Sequence, residues 1–106
     1  MNYTSIEQSK KLLELGLSPE SADMIYLFDF STEPMININI TPGDTSIPCW
    51  STEALIALLP IGTHICSHFR HKGIMFECYT EKDRFERLSL FDAVYSMIEW
   101  LLKYIY

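Results

Sequence analysis

Residues 63–80 read THICSHFRHKGIMFECYT, and the fold turns on how this stretch pairs with itself. Two runs rich in β-branched and aromatic residues flank His71-Lys72-Gly73, and Gly73 suits the positive φ of a tight hairpin turn. Side chains alternate along a strand, so a slip of one residue exchanges the two faces. An even-numbered loop puts Ile65 and Phe69 on the same face as Ile74, Phe76 and Cys78. His64, Cys66 and His68 then share the other face with Met75, Glu77 and Tyr79. An odd loop mixes apolar with polar, so the even loop is expected. Arg84 to Leu88 adds a short, charged edge strand.

The polar face holds the sharpest chemical pattern in the chain, His64-x-Cys66-x-His68. Imidazole and thiolate are ligands that zinc prefers. Structural zinc, however, shows paired C-x₂₋₄-C or H-x₃₋₅-H spacings, and three alternating strand residues do not supply them. The expectation is therefore a solvated hairpin face, with no metal and no cofactor. A small enzyme or metal-binding protein using this face is the alternative. Nucleophile elbow, phosphate loop and HExxH are all missing, so nothing in the pattern signals catalysis.

Immediately before the hairpin, residues 48–60 read PCWSTEALIALLP. Ser51 is a good N-cap with Glu53 in the first turn. Trp50 and Leu55 then stand at the positions of a hydrophobic staple, and Pro60 ends the helix, expected over 52–59. Residues 54–59 are apolar all round, which predicts burial on most sides. Cys49 has no neighbouring base, so it reads as a buried, inert thiol.

After the hairpin, Ser89 caps a helix that runs to about Tyr104. Asp92, Ser96, Glu99 and Lys103 form its one polar stripe, and the rest is apolar or aromatic. A helix with so narrow a wet face is either central or packed on a partner. The expected patch is Trp100, Tyr104 and Tyr106, covered by a homodimer through this helix.

The first half is less regular. Thr4 with Glu7, or Ser5 with Gln8, forms a capping box for a helix ending at Gly16, where Leu17 and Leu12 suit a Schellman arrangement. Ser18 and Pro19 restart a short helix. The segment IYLFDF fits a strand or a helix equally. Ile36, Ile38 and Ile40 alternate with asparagines as a strand over 35–40, and Pro42-Gly43 fits a type II turn. The helix–Gly–helix cadence of residues 12–26 also suggests a helix-turn-helix, a DNA-binding regulator being the further alternative.

Charge argues against that last reading. The 106 residues carry a net charge of −6. Residues 1–53 hold eight acids and two bases, while residues 54–106 hold six of each. No Lys or Arg occurs between Lys11 and Arg70. Phosphate neutralisation supplies most non-specific nucleic-acid affinity, so no nucleic-acid partner is expected. Three cysteines without a CxxC make no disulfide framework. No apolar run approaches the ~20 residues that span a bilayer. The expected setting is cytoplasmic, without a membrane partner.

These readings predict a single domain, 1–106, of the α+β class. Its small, mostly antiparallel sheet, drawn from 35–40, 64–70 and 74–81, packs against the C-terminal helix and shorter helices. Three blocks, YTSIEQSKKLLELGLSPESADM (3–24), PCWSTEALIALLP (48–60) and DAVYSMIEWLL (92–102), resemble a group of small proteins without a known activity, encoded in gut-anaerobe genomes, prophages and mobile elements. The resemblance implies an accessory protein of mobile DNA. The expected function is a non-catalytic one, binding another protein through the acidic first half or the aromatic C-terminal helix.

Overall fold

A computed structural model describes residues 2–28, 32–36, 46–70 and 73–105. The architecture is α+β: among the described residues there are two antiparallel sheets of three strands each, a C-terminal helix and shorter helices. The chain forms two compact units, the first ending at Ala54 and the second beginning at Leu55.

In the first unit, helix α1 spans Ile6–Glu14. Ser5, not Thr4, is its N-cap, with the reciprocal Ser5–Gln8 capping box complete. Gly16 has φ 98°. Its N–H and that of Leu17 donate to the carbonyls of Leu13 and Leu12, as a Schellman ending requires. The chain then makes a 3-10 turn over Pro19–Ser21 capped by Ser18. Strands β1 (Met24–Tyr26), β2 (Met35–Ile36) and β3 (Ile47–Cys49) form a sheet in the order β2-β1-β3. Tyr26, Ile47 and Cys49 are its buried centre, with Tyr3, Ile6 and Met24 packed around them.

Two expectations change here. Residues 35–36 pair with 24–25 rather than joining the hairpin, so the described residues form two sheets instead of one. Residues 37–40 and the turn at 42–43 lie outside the described residues. The sequence suggests an irregular connection from Phe30 to Cys49 apart from the strand and turn of 35–43, yet its end holds a strand, Ile47–Cys49, buried at all three positions. Such a short, fully buried strand has no alternation to betray it.

Helix α2 spans Thr52–Ala57. Ser51 Oγ accepts from the Ala54 N–H, as an N-cap should. Its burial is less than expected: Leu55 is enclosed, whereas Ile56 and Ala57 are exposed. An apolar stretch of six residues guarantees no enclosure once only one side meets a core.

In the second unit, β4 (His64–Arg70), β5 (Gly73–Tyr79) and β6 (Arg84–Arg87) form a sheet in that order. Arg70 pairs with Gly73 and Phe69 with Ile74, so the loop is even-numbered and the two faces carry the residues expected of them. Gly73 has φ 113°. Helix α3 spans Leu90–Tyr104, capped by Ser89, whose hydroxyl accepts from the Asp92 N–H. It lies on β5 and β6. Cys78, Ala93, Met97 and Leu101 are the buried centre, and Leu59, Phe76, Phe85 and Trp100 pack around it.

Candidate functional site

Helix α3 covers β5 and β6, and this leaves the apolar face of the edge strand β4 bare. Phe69 is 86% exposed and its cross-strand partner Ile74 51%, with Ile65 exposed on the same face. Among the described residues, β4 pairs only with β5, so its outer backbone edge is open. Natural edge strands are usually blunted by Lys, Pro or inward charges. Residues 64–69, HICSHF, contain none of these, and the one charge of the strand, Arg70, stands at its last position.

The expected C-terminal patch is smaller. Trp100 is half-buried, packs on the Cys78–Met97 centre and is tilted against Tyr104, with ring centroids 5.8 Å apart. It also lines an open groove of about 370 Å³ with Ile61, Thr80, Lys82 and Ile105. Tyr104 and Ile105 are exposed, but only in the last turn. Phe91, Val94 and Ile98 are buried. Tyr106 lies outside the described residues.

On the opposite side of the hairpin the three sequence candidates separate. His64 stacks on its cross-strand neighbour Tyr79, with centroids 5.2 Å apart. The Arg84 guanidinium lies 4.9 Å from the same Tyr79 ring, so one row crosses all three strands. Cys66 and His68 instead converge, with Sγ 3.2 Å from Nε2. Glu77, directly opposite Cys66, brings Oε2 to 3.5 Å from the same His68 nitrogen. Sγ, Nε2 and the carboxylate oxygen all lie within 4.8 Å of one another.

Glu77 is the unusual member. It sits at the centre of the middle strand and is 2% exposed. Its Oε1 lies 3.4 Å from Arg84 Nε, while its Oε2 has no hydrogen-bond partner among the described residues. Burying a carboxylate is costly unless both oxygens find partners. The register put Glu77 on the face of Cys66 and His68; what the sequence could not show was its burial.

The trio also resembles a nucleophile, a base and an orienting acid. In such a relay the imidazole meets the nucleophile through one nitrogen and the acid through the other. Here thiol and carboxylate both face Nε2. One nitrogen cannot accept the thiol proton and donate to the carboxylate at once, so the geometry is that of convergence on a point.

The fold and site thus define a small α+β protein with a two-faced hairpin, one face apolar and bare, the other carrying a Cys/His/Glu cluster. No family model, curated protein or solved structure matches the chain. Among the described residues, no helix is long and apolar enough to cross a membrane.

Proposed function

We propose that the protein is a non-catalytic interaction protein that associates with a second copy of itself through β4. The observation that carries this reading is the exposed Phe69 on an edge strand whose one charge, Arg70, stands at its end. Strand HICSHFR is self-complementary about Ser67: antiparallel pairing with another copy sets Ile65 against Phe69 on the apolar side. A two-fold pairing of this kind satisfies the open backbone edge and covers the aromatic ring together. The surface differs from the C-terminal helix expected at first, because α3 already buries most of its own apolar residues. An accessory role in a mobile element or prophage supplies the setting, on the strength of the sequence blocks alone.

Sedimentation tests the reading. The wild type should be dimeric at tens of micromolar and Phe69→Lys monomeric, with its circular dichroism unchanged because the ring is exposed. A monomeric wild type would refute self-association. A dimer broken by Tyr104→Ser and not by Phe69→Lys would return the interface to the C-terminal helix.

A further inference from the structure

The geometry points to a zinc site on the hairpin, formed by Cys66 Sγ, His68 Nε2 and Glu77 Oε2. Two independent observations meet there. Three donors of the types zinc takes come from adjacent strands and lie within 4.8 Å of one another. One of them is a carboxylate oxygen of a side chain 2% exposed, without a hydrogen-bond partner among the described residues.

The distances fit the ion. Zinc bonds of about 2.0–2.3 Å at tetrahedral angles separate neighbouring donors by roughly 3.3–3.8 Å. The Sγ–Nε2 and Nε2–Oε2 separations are 3.2 and 3.5 Å, so two of the three edges are already close to that size. The convergence on a single imidazole nitrogen, which defeats a proton relay, is what a shared cation requires. Zinc would displace the thiol proton and bind the thiolate, and Oε2, which makes no hydrogen bond among the described residues and lies 3.5 Å from His68 Nε2, would gain a direct bond. Arg84 would keep Oε1, holding the carboxylate in place from the far side. Its positive charge also opposes the cation, which sets this site below a site of four anionic or neutral ligands in affinity. His68 is partly exposed, so the fourth position opens to solvent. His64, engaged with Tyr79, is no ligand.

Protein purified without a histidine tag, stripped by chelator and titrated with zinc should bind one ion per chain. Cobalt in its place should give the visible bands of tetrahedral coordination and a thiolate charge-transfer band. Cys66→Ser should abolish that band and weaken zinc by about 100-fold or more, since even residues that only orient a ligand cost 10–100-fold. His68→Ala should weaken it comparably, and His64→Ala should leave it unchanged. A measurement needing no variant is alkylation of the wild type: saturating zinc should protect Cys66. Failure of the stripped wild type to bind zinc saturably would overturn the proposal, as would binding indifferent to Cys66→Ser and His68→Ala, or alkylation of Cys66 at an unchanged rate.

Discussion

Two groups of buried polar side chains, one in each unit, answer the same physical problem in opposite ways. In the first unit Thr4 is fully enclosed, and its hydroxyl lies 2.7 Å from Ser9 Oγ and accepts from the Trp50 N–H at 3.0 Å. The Thr4 N–H donates to the Trp50 carbonyl. The Thr4 carbonyl accepts from the Tyr26 hydroxyl and from the Cys49 thiol. The Trp50 indole N–H reaches Ser21 Oγ at 2.9 Å, and Ser51 is held by the Asp23 carboxylate through both its N–H and its hydroxyl. Polar atoms spaced along the chain from Thr4 to Ser51 thus close on one another. In the second unit Glu77 is as deeply buried, yet Oε2 is left without a hydrogen bond among the described residues. A closed network, neutral around the buried Thr4 and ending at its rim on the exposed Asp23 carboxylate, rigidifies a core. An open one with a carboxylate at its centre stabilises nothing by itself and is suited to a ligand.

The contrast is broken most directly at Trp50, which is fully buried. Trp50→Ala should cost about 3–5 kcal/mol in urea unfolding; an unchanged midpoint would show that the ring is not part of a core. Thr4→Val keeps the shape of the side chain and removes the hydroxyl. It leaves the Trp50 N–H and the Ser9 hydroxyl unpaired and should cost about 1–3 kcal/mol, with Thr4→Ser milder.

Alkaline titration sharpens the comparison next. Burial pushes the Cys78 thiol up to about 11 from its ordinary 9.0. Burial also raises Tyr26 and, against the opposing Thr4 and Tyr26 hydrogen bonds, Cys49. A raised acid holds its proton longer in the folded chain than in the unfolded one. Its contribution is complete below the unfolded value and falls as pH climbs toward the folded one. Stability should therefore be flat in these groups below pH 9, the Cys78 share should fall from pH 9 to about 11, and the Tyr26 share should begin to fall only above pH 10. Cys78→Ala should flatten part of that decline, which unfolding curves at stepped pH would show.

The smallest effect is expected at Glu77. In metal-free protein Glu77→Gln should change stability by under about 1 kcal/mol. The Arg84 side chain left behind is 66% exposed, so no buried charge is stranded. A loss as large as that of Trp50→Ala would mean that Glu77 belongs to a closed network after all.

Sequence reading succeeded where one local rule decides the outcome. The segregation of apolar from polar residues decided the hairpin faces, and the caps at Ser18, Ser51 and Ser89 followed from residue type. It left two capping boxes open at the first helix. The structure resolves them by spending the Thr4 hydroxyl on Trp50 and Ser9, which frees Ser5 to cap. That choice depends in part on Trp50, more than forty positions away, and no local window of sequence contains it. The sheet of 24–26, 35–36 and 47–49 was hidden for the same reason, its strands being two or three residues long and far apart. At the site, Cys66, His68 and Glu77 were legible as neighbours on one face. The departure of His64 to Tyr79 was not, because a side-chain rotamer decides it.

The two residues that separate Arg70 from Gly73 also bear on how such a chain can diverge. Adding or deleting one residue there, if the strands re-paired, would carry Cys66 and His68 to the side where Cys78 and Phe76 meet α3, and bring Ile65 and Phe69 out among charges. Length changes in this loop should therefore survive in pairs, even though surface loops ordinarily tolerate any insertion. A set of relatives aligned across positions 70–73 would carry that parity as a signature of the two-faced hairpin, whatever residues occupy the turn.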